Sequence, residues 1–275
     1  MDALELAFLD EGPRETPVVV LLHGFPDSSA LWRAQAAALV AAGFRVVVPD
    51  LRGFGDSPAP AATDAYALPL LMADVLALLD RLGVGEAALV GHDWGAALGW
   101  VLAAYHPARF TRFCAVSVGH PSLLWDLSLT GVEQMERSWY VWLFQFEDAA
   151  EALLTRDDWA LFRAWARHHP ECPRQIAQLS RPGRLFAALA WYRANSRPRA
   201  FAEGGFSLPR LQVPVLTVWG ESDPYVGEVA LRDAHRLVDA PCTHVRLPAG
   251  HWPMLDAPQQ VSALLCDFAA GRLPG

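Results

Sequence analysis

Short apolar runs alternate with longer stretches of helical periodicity along most of the chain. The runs are rich in β-branched residues and are bounded by glycine, proline or polar residues, which is typical of buried strands. They lie at 18–22, 45–48, 87–90, 112–118, 213–218 and 243–247. Helical patterns lie between and after them at 28–41, 68–82, 94–106, 226–238 and 258–270. This order predicts an α/β fold with a mainly parallel central sheet flanked by helices.

One interval, from 119 to 207, has only helical periodicity. Its first predicted helix is apolar nearly all round, as expected of a helix packed between two bodies. The apolar positions of this helix are Val132, Met135, Trp139, Trp142, Leu143 and Phe146. A second helix is predicted to begin near Asp157 and to stop at Pro170, and a third to begin behind Ser180 as its cap.

The third helix presents a row of apolar residues on one face, namely Leu185, Leu189 and Tyr192. Tryptophans are also frequent in this interval, so a helical lid over an aromatic, apolar cavity is expected. We therefore predict a core domain formed by 1–118 and 208–275, with an inserted all-helical cap domain formed by 119–207.

Composition narrows the class of protein further. The chain has 275 residues, a formal net charge of -8 and 53% hydrophobic residues, which fits a globular enzyme and disfavours nucleic acid as a partner. The amino-terminal segment lacks a basic region, and no apolar stretch reaches the ~18 residues of a membrane span. Four scattered cysteines indicate a reducing, cytoplasmic location. His168 and His169 are interpreted as an exposed helix end, and neither a metal nor a cofactor is implied.

A candidate nucleophile lies where the strand predicted at 87–90 ends. The segment Gly91-His92-Asp93-Trp94-Gly95 has small residues on either side of a central acidic one and leads into a helix. Such a tight strand-to-helix turn projects its middle side chain at the top of the sheet. A carboxylate in that position can displace a leaving group from saturated carbon without an activating base. The pattern therefore predicts catalysis through an alkyl ester on Asp93 and argues against an ordinary esterase.

An acid and a histidine then follow in the order that this arrangement requires. Asp223 follows the strand predicted at 213–218, and His251 follows the next strand. Asp223 is expected to hold the tautomer of His251, whose other ring nitrogen would activate water against the ester. Glu221 is an alternative acid.

Preorganised donors for the developing negative charge are expected after the strand at 18–22. The segment His23-Gly24-Phe25-Pro26 lies there. The backbone N–H groups of Phe25 and Trp94 are predicted to form an oxyanion hole, in which one donor is typically worth ~3–4 kcal/mol.

With these segments, the chain resembles the epoxide hydrolases of the α/β-hydrolase superfamily, aspartate-nucleophile enzymes related to the haloalkane dehalogenases. The resemblance covers nearly the whole chain and is carried by HGFP at 23–26, DLRGFGDS at 50–57, GHDWGA at 91–96 and GHWPM at 250–254. It implies an oxyanion loop, a nucleophile elbow and a catalytic histidine for the first, third and fourth of these. The segment 50–57 is interpreted as a structural turn at the edge of the site.

The resemblance also implies two cap tyrosines that donate hydrogen bonds to the epoxide oxygen. The candidates are Tyr140 and Tyr192, in the segments Ser138-Trp139-Tyr140 and Trp191-Tyr192-Arg193. An alkoxide is a poor leaving group, so a neutral phenol must supply a proton or a strong hydrogen bond as the ring opens. The expected reaction is the hydrolysis of a small hydrophobic epoxide by water to a vicinal diol.

Three alternatives remain at this point. A haloalkane dehalogenase would use the same triad and could draw one halide donor from Trp94. Its second donor is usually an asparagine or a lid tryptophan; position 25 is Phe, but several lid tryptophans keep this alternative open. A fluoroacetate-type dehalogenase would carry arginine after the nucleophile, where this chain has Trp94. A non-catalytic ligand-binding protein of the same fold would have no need of a complete triad.

Overall fold

The computed structural model describes residues 3–167, 169–197, 199 and 207–273, and these form a seven-stranded sheet. The strands are β1 Phe8–Glu11, β2 Val18–Leu22, β3 Arg45–Pro49, β4 Ala87–His92, β5 Phe110–Val116, β6 Val215–Gly220 and β7 Cys242–Leu247. Their order is β1-β3-β2-β4-β5-β6-β7. Only the β1–β3 pair in this sheet is antiparallel. The predicted α/β fold with a mainly parallel sheet is confirmed.

Helices cover the sheet and bury its central strands. Those of the core are α1 Arg33–Ala41, α2 Leu68–Arg81, α3 Trp94–Tyr105, and the later helices Val229–Arg232, Pro253–Asp256 and Pro258–Ala269. Short 3₁₀ helices lie at Ser29–Trp32, Thr63–Tyr66, Pro107–Arg109 and Asp233–Leu237. Strands β3, β4 and β6 are buried along their whole length, which explains their continuous apolar runs. In the part of the chain that the structure describes, no helix is long and apolar enough to cross a membrane.

Strand β1 was not predicted, since the pattern of its four residues is too short to be distinctive. It pairs antiparallel with β3 at the edge of the sheet, and its residues alternate between half-buried and exposed. The helix predicted at 226–238 is also different, because it divides into the short helix Val229–Arg232 and a 3₁₀ helix.

Between β5 and β6, the described residues form helices and no strand. These helices are α4 Pro121–Thr130, α5 Val132–Arg137, α6 Trp139–Leu143, α7 Ala149–Trp165, α8 Cys172–Leu179 and α9 Arg184–Asn195. The backbone of α7 leaves helical geometry at 156–159, which separates it into two helical pieces. His168 and residues 198 and 200–206 lie outside the described residues, as do 1–2 and 274–275, and the predicted domain boundaries stay a prediction.

The single buried helix predicted through Val132 and Phe146 is wrong. The chain bends at Ser138, between α5 and α6, so the apolar residues do not share one axis. Several of them are exposed: Val132 by 69%, Met135 by 43%, Trp139 by 45% and Phe146 by 64%. Periodicity could not reveal this, because an apolar side chain at the rim of a cavity has the same pattern as one in the core.

Two further cap predictions need correction. Ser180 ends α8, with its hydroxyl donating to the carbonyl of Ile176, and α9 begins after Gly183, whose φ of +74° is left-handed. His169, expected at an exposed helix end, is buried and donates from Nε2 to Asp27 at 3.0 Å. The His169 side chain can be buried because Asp27, which is also buried, accepts this hydrogen bond.

Candidate active site

The nucleophile elbow has the strained geometry that its sequence predicts. Asp93 lies between β4 and α3 with φ 50° and ψ -121°, a conformation that a non-glycine residue rarely adopts. Small neighbours permit the turn, because a Cβ on Gly91 would lie 2.3 Å from the carbonyl oxygen of Gly95 and one on Gly95 would lie 2.3 Å from that of Leu22. Asp93 is nearly buried and lines an apolar cavity of about 160 Å³. The elbow therefore aims a carboxylate into an enclosed space.

A hydrogen bond joins Asp223 to His251, and an ion-pair contact joins His251 to this carboxylate. Asp223 Oδ2 lies 2.8 Å from His251 Nδ1, and His251 Nε2 lies 3.7 Å from Asp93 Oδ2. The other oxygen of Asp223 accepts hydrogen bonds from the backbone N–H groups of Tyr225 and Val226, which hold the acid in place. The structure brings together all three residues of the predicted triad.

Glu221, the alternative acid, lies elsewhere. It is exposed and pairs with Arg246 at 3.3 Å on the surface. Asp223 is 2% exposed, so of the two candidates only Asp223 can act on the histidine from inside the protein.

The electrostatics of the site favour a charged histidine before substrate arrives. Burial opposes the imidazolium, but the charges of Asp223 and Asp93 outweigh it and raise the pKa of His251 to about 10. His92 contacts the ring of His251 at a centroid distance of 4.8 Å. Burial lowers the pKa of His92 to about 4, so His92 is neutral and does not compete for the proton.

The loop after β2 supplies a donor to the nucleophile. The backbone N–H of Phe25 donates to Asp93 Oδ1 at 2.7 Å. A Cβ on Gly24 would lie 2.3 Å from that same oxygen and 2.7 Å from the backbone nitrogen of Trp94. Asp93 Oδ1 and the two predicted oxyanion donors therefore lie together around Gly24.

Both predicted cap tyrosines line the same cavity as Asp93. Tyr140 of α6 and Tyr192 of α9 have ring centroids 6.1 Å apart and are nearly buried. Tyr192 packs edge-on against Trp94 at 5.0 Å, and Phe25 packs against Tyr192 at 5.6 Å. The Phe25 ring thus joins the oxyanion loop to the cap, in addition to the role of its backbone.

Both phenols remain protonated donors. Burial and the charge of Asp93 raise the pKa of Tyr140 well above its usual value. Burial and Asp93 act on the pKa of Tyr192 in the same direction, against an opposing hydrogen bond with Trp94.

Sequence reasoning missed Tyr225, which follows the acid by two residues. Its ring packs edge-on against His251 at 5.0 Å, and its hydroxyl donates to the carbonyl of Trp165 in the cap. Its place directly after Asp223 and Pro224 was the available signal. The turn at 50–57, in contrast, has the structural role that was predicted, since both carboxylate oxygens of Asp50 accept backbone N–H groups.

The sheet order, the elbow and the sequence of nucleophile, acid and histidine define a hydrolase of the α/β type. The model of the alpha/beta hydrolase fold family matches residues 17–258. Epoxide hydrolase 3 of Xenopus tropicalis is 32% identical over an alignment of 275 residues, gaps included, which covers 95% of this chain and 73% of that protein.

Solved structures agree with this assignment. One described among novel epoxide hydrolases from metagenomes of hot environments superposes with a TM-score of 0.86 at 30% identity, covering 98% of both chains. Epoxide hydrolase A from Mycobacterium thermoresistibile superposes with a TM-score of 0.78 at 32% identity, covering 97% of this chain and 95% of that one. The chain belongs to the epoxide hydrolase family of the α/β-hydrolase superfamily.

Proposed function

We propose that this protein hydrolyses a hydrophobic epoxide to a vicinal diol through a covalent ester on Asp93. The observation that carries the proposal is the cavity itself, which is lined by the Asp93 carboxylate and by the two phenols Tyr140 and Tyr192, with His251 Nε2 lying 3.7 Å from Asp93 Oδ2. The epoxide hydrolases among its relatives support the same reaction.

In the first half-reaction, Asp93 Oδ2 attacks one carbon of the epoxide and the bond from that carbon to the epoxide oxygen breaks. Oδ2 is the attacking atom because Oδ1 is held by the Phe25 N–H. Tyr140 and Tyr192 hold the released oxygen, which takes a proton from one of these phenols and becomes a hydroxyl. Once the Asp93 charge is lost, the His251 imidazolium gives up its proton, which restores the phenol and leaves His251 neutral in the ester. Their raised pKa values suit this role, since a neutral phenol is required as donor.

In the second half-reaction, water attacks Cγ of the ester. Oδ1 is now the carbonyl oxygen and becomes the oxyanion, so the Phe25 and Trp94 N–H groups stabilise it where it already lies. Esterification has also removed the negative charge of Asp93, one cause of the raised His251 pKa. His251 therefore becomes the base that takes a proton from water, while Asp223 stabilises the imidazolium. The bond from Cγ to the diol oxygen then breaks, and that oxygen leaves with the proton of the hydroxyl that water added, so Asp93 returns to a carboxylate. The proton that His251 takes from water replaces the one that ring opening consumed.

The alternatives draw less support from the site. The cavity is lined by apolar and uncharged polar side chains around Asp93, and none of the described lining residues is an arginine that could grip a carboxylate substrate. The Phe25 side chain packs into the aromatic cluster and offers no halide donor, so a haloalkane dehalogenase would need its second donor from a cavity tryptophan such as Trp125 or Trp142. A simple binding protein would gain nothing from the strained backbone of Asp93.

A panel of aryl and alkyl epoxides and halides separates epoxide hydrolysis, dehalogenation and binding without turnover, because these give a diol, free halide or neither product. We expect diol from the parent protein and no turnover from Asp93→Asn. His251→Gln should form the ester without hydrolysing it, which intact-protein mass spectrometry detects as an added substrate mass. Absence of this adduct, with a substrate that the parent converts, would contradict covalent catalysis.

The reaction consumes only water and epoxide, so the proposed mechanism involves no cofactor. We place the enzyme in the cytoplasm, where reducing conditions keep thiols free, as are Cys114, Cys172, Cys242 and Cys266.

A further inference from the structure

A buried carboxylate outside the triad links the cap to the catalytic histidine. Asp27 is 3% exposed and lies two residues after Phe25 of the oxyanion loop. Its Oδ1 accepts from His169 Nε2 at 3.0 Å and from Gln175 Nε2 at 2.6 Å, and both donors belong to the segment between β5 and β6. Its Oδ2 accepts from Trp252 Nε1 at 3.0 Å, and Trp252 directly follows His251.

The hydrogen bonds leave little freedom in this cluster. His169 Nδ1 accepts from the backbone N–H of Glu171 at 2.9 Å, which fixes the tautomer with the proton on Nε2, facing Asp27. The ring of His169 packs against Trp252 at a centroid distance of 4.5 Å. All three donors to Asp27 are therefore buried and oriented, and two of them come from the cap.

The same cap segment also contacts His251 indirectly, through Tyr225. Trp252 packs edge-on against the His251 ring at 4.9 Å, and Tyr225 packs edge-on against the same ring at 5.0 Å. The Tyr225 hydroxyl donates to the carbonyl of Trp165, four residues before His169 in the chain. Trp165 and His169 thus contact Tyr225 and Trp252, two of the aromatic neighbours of the catalytic ring.

We infer that Asp27 is a positioning residue, which couples the docked cap to the placement of His251 and of the oxyanion loop. The inference rests on the proposed function. Because both of these groups act on the ester, Asp27 should matter for ester hydrolysis and much less for ester formation. A purely structural carboxylate would change stability and slow both steps alike.

The test is Asp27→Asn, which keeps the shape of the side chain. An amide can accept from His169 and Gln175 through its oxygen, but its NH₂ then faces the N–H of Trp252, so that hydrogen bond is lost. Rapid-quench mass spectrometry with a converted epoxide gives the rate constants for ester formation and ester hydrolysis. A displacement of Trp252 and His251 by ~1 Å should slow hydrolysis about 10- to 100-fold and leave ester formation roughly unchanged.

Two further variants secure the result. His169→Phe keeps the aromatic packing on Trp252 but removes the donor to Asp27, so it should slow the same step, and it decides the question if Asp27→Asn does not fold. Asp10→Asn removes the carboxylate that pairs with Arg45 at 2.7 and 2.8 Å, at the β1 edge of the sheet. It should lower the melting temperature without altering the ratio of the two rate constants.

Equal slowing of both steps, or an unchanged ratio, in folded Asp27→Asn or His169→Phe would overturn the positioning role alone. Failure of the parent protein to form any ester would overturn the proposed function and the positioning role with it. A selective loss of hydrolysis in both variants supports the inference.

Discussion

The substitution Gly24→Ala tests the placement of the oxyanion loop. The added Cβ would lie 2.3 Å from Asp93 Oδ1 and 2.4 Å from Asp93 Cβ, whereas ordinary contact begins at 3.4 Å. The elbow is fixed between β4 and α3, because the Asp93 N–H donates to the carbonyl of Val116 and the Asp93 carbonyl accepts from the N–H groups of Ala96 and Ala97. The loop must instead move outward by about 1 Å, and the Phe25 N–H moves with it.

Loss of the 2.7 Å hydrogen bond from Phe25 to Asp93 Oδ1 sets the size of the effect. Removal of one oxyanion donor typically costs about 10²- to 10³-fold in kcat, or ~2.7–4 kcal/mol. The loss should fall on ester hydrolysis, so the variant should accumulate the alkyl ester during turnover. Steady-state diol formation and intact-protein mass spectrometry measure both consequences.

Gly85→Ala is the matched control. A Cβ there meets nothing within 4 Å, and the residue is exposed. This variant should retain parental kcat and melting temperature. If folded Gly24→Ala kept parental kcat as well, the oxyanion loop would not act as described, and the assignment of Oδ1 as the oxyanion position would be refuted.

Three further outcomes follow from the site. Tyr140→Phe and Tyr192→Phe should each slow ester formation about 10- to 100-fold, and the double variant much more; unaltered single-turnover rates in both would remove the tyrosines from the mechanism. Asp223→Asn should lower kcat by up to about 10⁴-fold through loss of the histidine tautomer, and parental kcat would contradict this. In the ester, burial and the loss of the Asp93 charge both lower the pKa of His251, so this pKa lies below about 10. Ester hydrolysis should therefore accelerate as the pH rises toward this pKa. A rate of ester hydrolysis that falls across neutral pH would exclude His251 as the base.

Local patterns were enough to predict the catalytic core. The strands before Asp93 and Asp223, β4 and β6, are buried along their whole length, so their apolar runs stand out from the flanking glycine and polar residues. Strand β7, before His251, is mostly half-buried. The small residues around Asp93 identified the elbow, because few other residues fit such a turn. The order of the three residues along the chain then predicted their convergence.

The cap and its contacts were less accessible to such reasoning. Whether an apolar cap residue such as Val132 faces solvent or the core depends on how short helices fold back on one another, which periodicity does not encode. His169 and Asp27 are buried together, joined by a hydrogen bond between distant parts of the chain. Such pairs carry no local signal in a single sequence.

The central claim is that an oxygen atom of Asp93 ends up in the diol. One turnover of excess protein with an epoxide, in water enriched in the heavy oxygen isotope, tests it directly. We expect a diol without the heavy isotope and an Asp93 peptide that has gained one heavy oxygen, because water attacks Cγ of the ester. A diol that carries the heavy isotope, with an unlabelled Asp93 peptide, would mean that water attacks the epoxide itself and would contradict the account.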